Sequence, residues 1–310
     1  MKALIARSYG PLEDVEFAEL PTPVAGPGQL LVRLEATSLN AVDKVLVTGA
    51  MRDAMPVRHP FVPGVDVSGV VEAVGEGVTR FSAGDAVIAW NSVTAGALAE
   101  YIVIDDAPSV ALRPPALTPA QGAALSTGAL TAAALLDEVR APRGGSVVIV
   151  GAAGGVGSFT VQLARQAGLT VLATGRADDE DFLRGLGAHH VLDYRTADIA
   201  EEAHRLVAGG VDTVMDLANA GSALAATAAA AKAGGHLVSP LGGPPAFERG
   251  VTASYTGTRT PRGRLEALAG QAAEGRLRVE IDSDYPFGQA DRALIAFASQ
   301  HIRGKVTVTF

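Results

Sequence analysis

Up to Pro115 the sequence alternates apolar and polar positions in short runs, the pattern of β-strands with one buried face. Glycine and proline mark turns between the runs, as in Gly26-Pro27-Gly28 and Gly75-Glu76-Gly77. The predicted strands of this part are Leu30–Ala36, Val67–Val74, Asp85–Ala89 and Tyr101–Ile104. Many short strands separated by such turns predict a compact β-rich domain, a barrel or a sandwich.

After Pro119 helical stretches alternate with apolar strands. Ala120–Val139 predicts a long helix, and Ser146–Val150 (SVVIV) is an unbroken run typical of a central parallel strand covered on both faces. Further predicted strands are Thr170–Thr174, Val191–Leu192, Val211–Asp216, His236–Ser239 and Val251–Thr256, and further predicted helices are Gly157–Gly168, Asp179–Gly187, Ile199–Ala208, Leu224–Ala233, Arg264–Glu274 and Gln289–Gln300. Repeated β-α-β units predict an α/β fold with a doubly wound parallel sheet.

The sequence ends in a β run, Lys305–Phe310, which is explained most easily if the chain returns to its first domain. We therefore expect one domain from residues 1–118 with 259–310, and a second from 119–258. Val251–Thr258 (VTASYTGT) predicts an edge strand of the second domain, β-branched and low in charge. Because proteins normally cover or pair such an edge, a homodimer across it is expected.

Composition narrows the class of protein. The 310 residues are 48% hydrophobic and carry a formal net charge of −8, which disfavours a nucleic-acid partner. The absence of cysteine excludes disulfides, cysteine nucleophiles and thiolate metal sites. The N-terminal residues lack the apolar core of a signal peptide, and the longest apolar stretches are too short to span a bilayer, so a soluble, cytoplasmic protein is expected.

The strongest motif is a glycine-rich segment between a predicted strand and a predicted helix. Val147–Gly157 reads VVIVGAAGGVG and is followed by SFTVQLARQAG. Such a strand, turn and helix hold the pyrophosphate of a dinucleotide, because the helix start offers unpaired N–H groups and the positive end of its dipole. Ala152 takes the place of the first glycine of the usual pattern, but the flanking strand and helix supply the required context. The alternative is an ordinary strand-to-helix turn.

The end of the next strand indicates which dinucleotide. An NAD site usually has an acidic residue there for the ribose hydroxyls, whereas this chain reads Thr174-Gly175-Arg176. A guanidinium suits the 2′-phosphate of NADP through charge-assisted hydrogen bonds. Tyr194 and Arg195, after the third strand, could contact the same phosphate. The sequence therefore favours NADP over NAD, the alternatives being a solvated arginine and a packed tyrosine.

At this point the sequence resembles the zinc-independent quinone oxidoreductase branch of the medium-chain dehydrogenase/reductase superfamily, nearly from end to end. The segments that carry the resemblance are SLNAVD (Ser38–Asp43), PGVDVSGVVEAVGEGV (Pro63–Val78), FSAGDAV (Phe81–Val87), GALAEY (Gly96–Tyr101), GALTAAALL (Gly128–Leu136), GAAGGVG, LGAHHVLDYR (Leu186–Arg195) and RGKV (Arg303–Val306). It implies a GroES-like catalytic domain, completed by the C-terminal segment, around an inserted Rossmann domain. The rival short-chain dehydrogenases need an N-terminal glycine motif and a Tyr-x-x-x-Lys pair, and this chain has neither.

The resemblance also implies that no metal is bound. Zinc members carry a cysteine ligand near Asn40 and a His-Glu pair where this chain has Val65-Asp66. They often carry four structural cysteines as well. The six histidines are scattered or adjacent and do not form a ligand set.

Site residues follow from the glycine motif and from the resemblance. Asn40 and Thr131 are implied as polar groups near the nicotinamide, with the alternatives that Asn40 only closes a turn with Asp43 and that Thr131 only bonds back within its helix. Leu241-Gly242 and Gly304-Lys305 are implied at the nicotinamide end through backbone groups, unless Lys305 is simply a surface charge. The full set of expected cofactor contacts is Gly151, Ala153, Gly154, Gly155, Val156, Thr174, Gly175, Arg176, Tyr194, Leu217, Leu241, Gly242, Gly304 and Lys305.

The implied reaction is hydride transfer from NADPH to a quinone or another conjugated carbonyl, since an electron-poor acceptor needs less help than a carbonyl that zinc must polarise. A tyrosine common after the Asn-x-x-Asp stretch is missing here, where Lys44, Val45 and Leu46 stand. Solvent is then the first candidate proton donor, ahead of Lys44 and Asp43. Two alternatives stay open: an NADPH-dependent enoyl or alkenal reductase, and an NADPH-binding redox sensor or structural protein with little turnover.

Overall fold

The computed structural model describes residues 1–91 and 96–310 and divides the chain into two compact units. Unit 1 comprises Met1–Thr127 and Thr260–Phe310, and unit 2 comprises Gly128–Arg259. The first division falls within a continuous helix that begins at Pro119, rather than before it as the sequence suggested. The second falls one residue beyond the predicted boundary.

The strands are β1 Lys2–Ile5, β2 Glu16–Glu19, β3 Gln29–Ser38, β4 Asp66–Val74, β5 Ala86–Trp90, β6 Tyr101–Asp105, β7 Val110–Leu112, β8 Ser146–Val150, β9 Thr170–Gly175, β10 His190–Asp193, β11 Val211–Asp216, β12 Ala231–Ser239, β13 Thr252–Tyr255, β14 Ile281–Pro286 and β15 Lys305–Thr309. The helices are α1 Ala41–Thr48, α2 Pro119–Asp137, α3 Gly155–Gln166, α4 Glu180–Gly185, α5 Ile199–Leu206, α6 Leu224–Ala228, α7 Arg264–Ala273 and α8 Ala290–Ser299. None of the helices among the described residues has the length and apolar character needed to cross a bilayer.

Unit 1 is the predicted β-rich, GroES-like domain. Its main sheet has the order β14-β15-β3-β4-β5-β7, with β6 also paired to β3, and β1 and β2 form a separate antiparallel pair. Leu30, Val32 and Leu34 alternate along β3 and are buried, as the period of two requires. The last strand, β15, pairs antiparallel with β3, so the predicted return of the C-terminal segment to the first domain is confirmed.

Unit 2 is the predicted doubly wound sheet. Its six strands are parallel in the order β10-β9-β8-β11-β12-β13. The central strand β8 is buried throughout, in agreement with its unbroken apolar sequence. The predicted edge strand is confirmed, since β13 is the last strand in the sheet order, with one isolated bridge from Ala246 to Thr252 on its outer side.

The sequence prediction is wrong over the alanine-rich stretch 224–233. The predicted helix ends at Ala228, and β12 already begins at Ala231. Ala231 pairs with Val211, and the register then shifts before Thr213 pairs with His236. Gly234, with φ of +70°, lies within this irregular part of β12. Pairing with β11 thus overrides the high helix propensity of alanine.

Two glycines at the start of α3 provide a matched test of this packing. A Cβ added at Gly157 would overlap the carbonyl oxygen of Gly151 and lie 2.6 Å from that of Ala152, whereas one at Gly154 would meet only Gly151 O, at 3.6 Å. We expect Gly157→Ala to lower the free energy of unfolding by about 1–3 kcal/mol. Gly154→Ala is the control and should leave it unchanged within about 0.5 kcal/mol. Equal effects of the two variants, measured by urea denaturation, would contradict this packing.

Candidate active site

The glycine loop of unit 2 has the geometry of a phosphate-binding turn. Gly151 follows β8 with φ of +78°, and its N–H donates to Thr174 Oγ1 at 3.2 Å. Gly154 is the N-cap of α3, with Gly155 and Val156 in the first turn and the buried Ala153 just before. The space around a Cβ at Gly154 is open, which leaves room for a bound group close to the backbone. The loop therefore fits a dinucleotide pyrophosphate at the helix start.

The end of β9 brings together two of the residues predicted to bind a 2′-phosphate. Arg176 Nε donates to the hydroxyl of Tyr194 at 3.2 Å, and Tyr194 is 47% exposed. The carboxylate of the fully buried Asp179 accepts the backbone N–H of Arg176 at 2.8 Å. A Cβ at Gly175 would lie 2.7 Å from Leu183 Cδ1 and 3.0 Å from Asp179 Cβ, so a larger residue there would require these side chains to shift. This strand end thus presents a cation and a phenol, while Asp179 holds the backbone of the turn.

A buried acid that sequence reasoning missed shapes the loop after β11. The carboxylate of Asp216 accepts the backbone N–H groups of Ala218 and Asn219, at 3.0 and 2.9 Å, and the Thr227 hydroxyl at 2.5 Å. These bonds hold the loop that contains Leu217. The signal in the sequence was an acidic residue at the end of an otherwise apolar strand.

The loop after β12 also begins with a side-chain bond. Ser239 Oγ accepts the N–H of Leu241 at 3.0 Å, and Gly242 has φ of +40°. All of these loops follow the carboxyl ends of parallel strands, the edge at which doubly wound sheets bind their ligands.

Thr131 lies in the part of α2 that belongs to unit 2. Its hydroxyl makes a 2.7 Å hydrogen bond with that of Thr258, and the residue is 5% exposed. The alternative that Thr131 bonds back within its helix is not what the structure shows.

Asn40 lies in unit 1, at the start of α1, a helix that sequence reasoning did not predict. Asp43 accepts the backbone N–H of Asn40 at 2.7 Å through Oδ2 and that of Gly64 at 2.9 Å through Oδ1. The sequence signal that could have revealed α1 was the Asn-x-x-Asp spacing ahead of an apolar run, which is typical of a helix start. Asp43 therefore ties α1 to the segment just before β4.

The pKa of Asp43 is raised from its ordinary 3.8 to about 7. Burial is the largest cause, and the negative charge of Asp66 adds to it. The N–H groups of Asn40 and Gly64 and the positive charge of Lys305 act in the opposite direction. Because both oxygens of this fully buried carboxyl already face backbone donors, Asp43 is a poor candidate for the proton donor of a reaction.

Asp66 lies at the centre of a buried polar network that we name the Asp66 cluster: Ser38, Asn40, Asp43, Asp66, Thr127 and Lys305. The Asp66 carboxylate is fully buried and accepts from Ser38 Oγ at 2.5 Å, from Asn40 Nδ2 at 2.9 Å and from Lys305 Nζ at 3.2 Å. Thr127 donates to it through both its backbone N–H, at 2.9 Å, and its hydroxyl. A buried charge needs such partners, and this one has five donors.

Asn40 and Lys305 are the members of this cluster that the sequence predicted as site residues, and the two side chains are hydrogen-bonded to each other. Lys305 is 2% exposed, so the alternative of a surface charge is wrong. Its ammonium donates to Asn40 Oδ1 at 2.6 Å. The amide nitrogen of Asn40 donates one hydrogen to Asp66 and the other, at 3.2 Å, to the carbonyl oxygen of Ser38. Both amide hydrogens of Asn40 are therefore used.

Backbone geometry explains why a glycine precedes Lys305. Gly304 has φ of +87°, and a Cβ there would overlap the carbonyl of Glu280.

Among the described residues, histidines and acids form no group of three or more that could hold a metal ion.

The comparisons with known proteins agree with this architecture. The family model of the alcohol dehydrogenase GroES-like domain matches residues 26–114, and that of the zinc-binding dehydrogenase matches residues 186–308. The chain is 32% identical over 329 aligned positions to the chloroplast envelope quinone oxidoreductase homolog of Arabidopsis thaliana, an alignment that covers 99% of this chain and 98% of that protein. Alignments with two other plant quinone-oxidoreductase relatives cover 62% of those proteins.

Solved structures show the same fold over the whole chain. The quinone oxidoreductase from Coxiella burnetii superposes with a TM-score of 0.89 at 27% identity, covering 100% of this chain and 99% of that one. A mycobacterial protein solved in complex with NADPH superposes with a TM-score of 0.88 at 29% identity, covering both chains fully.

The fold and these relatives define a medium-chain dehydrogenase/reductase. Within that superfamily, the chain belongs to the zinc-independent quinone oxidoreductase branch and is a quinone-oxidoreductase-like enzyme.

The buried carboxyl of Asp43 predicts a pH-dependent stability. Its pKa is higher in the folded chain than the 3.8 of an ordinary aspartate. The stability that it contributes is therefore complete below pH 3.8 and is lost as the pH rises through about 7. In Asp43→Asn this contribution is absent. We expect the unfolding free energy of the wild type, relative to the variant, to fall by roughly 3 kcal/mol between about pH 5 and about pH 8.

Urea denaturation at the two pH values measures this difference. Asp53→Asn, at an exposed aspartate of the same unit, is the matched control and should show no such trend. If the difference in unfolding free energy between the wild type and Asp43→Asn is the same at both pH values, Asp43 ionises as an ordinary aspartate.

Proposed function

We propose that this protein is an NADPH-dependent, metal-independent oxidoreductase that transfers a hydride to a quinone or another conjugated carbonyl. The relationship to quinone oxidoreductases supports the reaction class. The observation that carries the choice of cofactor is the contact between Arg176 and Tyr194 at the end of β9, where an NAD site would present an acid. The mycobacterial relative solved with NADPH supports the same choice.

The residues of unit 2 fit the parts of this cofactor. The N–H groups at the start of α3 would bind the pyrophosphate, and Arg176 with Tyr194 would bind the 2′-phosphate. Leu217, Leu241 and Gly242 lie on loops at the same edge of the sheet and would contact the remainder. When bound, NADPH supplies a hydride, and the protein supplies orientation and the exclusion of water.

Asn40 and Thr131 are our candidates for contact with cofactor or acceptor. In Asn40 both amide hydrogens already donate within unit 1, so a hydrogen bond to an acceptor would require the amide to give up one of these partners. We expect its main contribution to be a fixed polar surface. Solvent is then the source of the proton, since a hydroquinone product is protonated readily in water.

We also propose that the protein is a homodimer joined across β13, the outermost strand of the unit 2 sheet, of which the first residues also pair with the segment 245–247. Tyr255 at the end of this strand donates to Pro244 O, which keeps the adjoining loop ordered beside the edge. A dimer is expected at micromolar concentration by light scattering, and a mass equal to one chain would contradict it. The cytoplasmic location stays a prediction; plant relatives are named for the chloroplast.

Cofactor preference tests the proposed function. The purified protein is mixed with an ortho-quinone and, separately, with a panel of enones, using NADPH and NADH in parallel. We expect turnover with at least about tenfold higher kcat/KM for NADPH, because a charge-assisted hydrogen bond contributes about 1.5–3 kcal/mol. A preference for enones would identify a double-bond reductase. Binding of NADPH without turnover of any acceptor would identify a sensor. Equal kcat/KM with NADH and NADPH would contradict the role of Arg176.

Arg176→Met sharpens this test. Loss of the guanidinium should raise KM for NADPH about tenfold or more and leave KM for NADH within about twofold. Arg184→Met is the matched control, since Arg184 lies in α4 of the same unit and pairs with Glu180. An unchanged KM for NADPH in Arg176→Met would show that another group binds the 2′-phosphate.

A further inference from the structure

The ammonium of Lys305 is buried in unit 1. The residue is 2% exposed, and its ammonium donates to two members of the Asp66 cluster, Asn40 Oδ1 at 2.6 Å and Asp66 Oδ2 at 3.2 Å. Removing an ammonium group from water is costly unless it is paired and hydrogen-bonded. A chain that needed only to fill this space could do so with an apolar side chain.

The two charged groups together fix the orientation of the Asn40 amide. An ammonium can only donate and a carboxylate can only accept, so the amide oxygen must face Lys305 and the amide nitrogen must face Asp66. Reversing the amide would place its NH₂ group against the ammonium and its oxygen against the carboxylate. Asn40 is 8% exposed and therefore presents one defined polar surface.

The backbone positions Lys305 for this contact. Gly304, which has a positive φ, directly precedes β15, and the N–H of Lys305 donates to the carbonyl of Glu280 at 2.9 Å. The strand then pairs antiparallel with β3, whose last residue, Ser38, also donates to Asp66. The C-terminal segment of the chain thereby delivers the cation to the start of α1.

We propose that Lys305 is a positioning residue of the candidate active site: its ammonium orients the Asn40 amide and balances the buried carboxylates of the Asp66 cluster. The kinetic part of this inference rests on the proposed function, whereas the electrostatic part does not. Among the described residues, the charged side chains that act on Asp43 are Asp66 on β4 and Lys305 on β15. Loss of Lys305 should therefore move the titration of Asp43 to higher pH.

The first measurement needs neither cofactor nor acceptor. Carbon-13 NMR of aspartate-labelled protein follows the carboxyl of Asp43 against pH in wild type, Lys305→Met and Lys305→Arg, with Asp43→Asn to assign the signal. We expect the midpoint to rise by about one pH unit in Lys305→Met and to change less in Lys305→Arg, which keeps the charge. An unchanged midpoint in Lys305→Met would overturn the electrostatic part.

The second measurement is steady-state kinetics. Lys305→Met should lower kcat by roughly 10–100-fold and leave KM for NADPH within about twofold, because a misplaced polar group affects the reaction step rather than cofactor binding. Lys305→Arg, which keeps the positive charge, should recover part of kcat. The matched control is Lys232→Met, which removes the lysine of an ion pair with Asp212 in unit 2 and should leave kcat unchanged.

A double variant separates positioning from simple stability. Lys305→Met leaves Asp66 buried without its cation and is expected to be less stable, whereas Lys305→Met with Asp66→Asn removes both charges and should recover part of the lost stability, since an amide accepts fewer hydrogen bonds than the carboxylate it replaces. Positioning predicts that kcat stays low in this double variant although its stability rises. Recovery of full kcat together with stability would overturn the proposal. If the wild type turns over no acceptor, the proposed function fails, and the NMR titration alone decides whether Lys305 balances the carboxylates.

Discussion

The carboxylate of Asp66 is the group on which the arrangement of unit 1 depends. It is fully buried, and an unpaired buried charge would destabilise the folded chain severely. Its donors come from the end of β3, the start of α1, the middle of α2 and the start of β15. One carboxylate thereby holds together segments from the beginning, the middle and the end of the sequence.

The same physical rule shapes unit 2 on a smaller scale. Asp216 is buried at the end of β11, and its oxygens accept hydrogen bonds from the loop that follows. Thr174 and Ser239 perform a comparable role through hydroxyl groups at the ends of β9 and β12. Side chains at the carboxyl ends of the strands therefore define the loops, and the loops define the surface that a dinucleotide would contact. Asp179 and Asp216 are buried and hold the backbone of their loops, whereas the half-buried Arg176 places a cation at the end of β9.

The sequence predicted most of the fold because its signals were local. An unbroken apolar strand such as β8 must be covered on both faces, and the glycine loop between β8 and α3 has a spacing that few other structures require. The helix that ends at Ala228 was predicted too long, because alanine favours a helix locally and only the partner strand β11 shows otherwise. Tyr194 was predicted to contact the same phosphate as Arg176 from its place after the third strand, and the two side chains are in contact.

The Asp66 cluster could not be predicted in the same way. Asp66 and Lys305 are 239 residues apart in the chain, and nothing near Lys305 distinguishes a buried ammonium from a surface lysine. The Asn-x-x-Asp spacing did indicate a local bond between Asn40 and Asp43, and the structure adds that both side chains belong to a larger network. Polar networks of this kind depend on tertiary pairing, so their members become visible only when β15 is placed beside β3.

We propose that hydride transfer in this chain needs no metal, because Asn40 and Asp66, at or beside positions where zinc members carry ligands, are hydrogen-bonded to each other and to Lys305. The most direct test is a single-turnover reaction of chelator-treated, metal-analysed protein with a quinone and NADPH, either unlabelled or deuterated at the transferable position. We expect the same single-turnover rate before and after chelator treatment and a slower reaction with the deuterated cofactor. A rate that is lost on chelation and restored by zinc would contradict it.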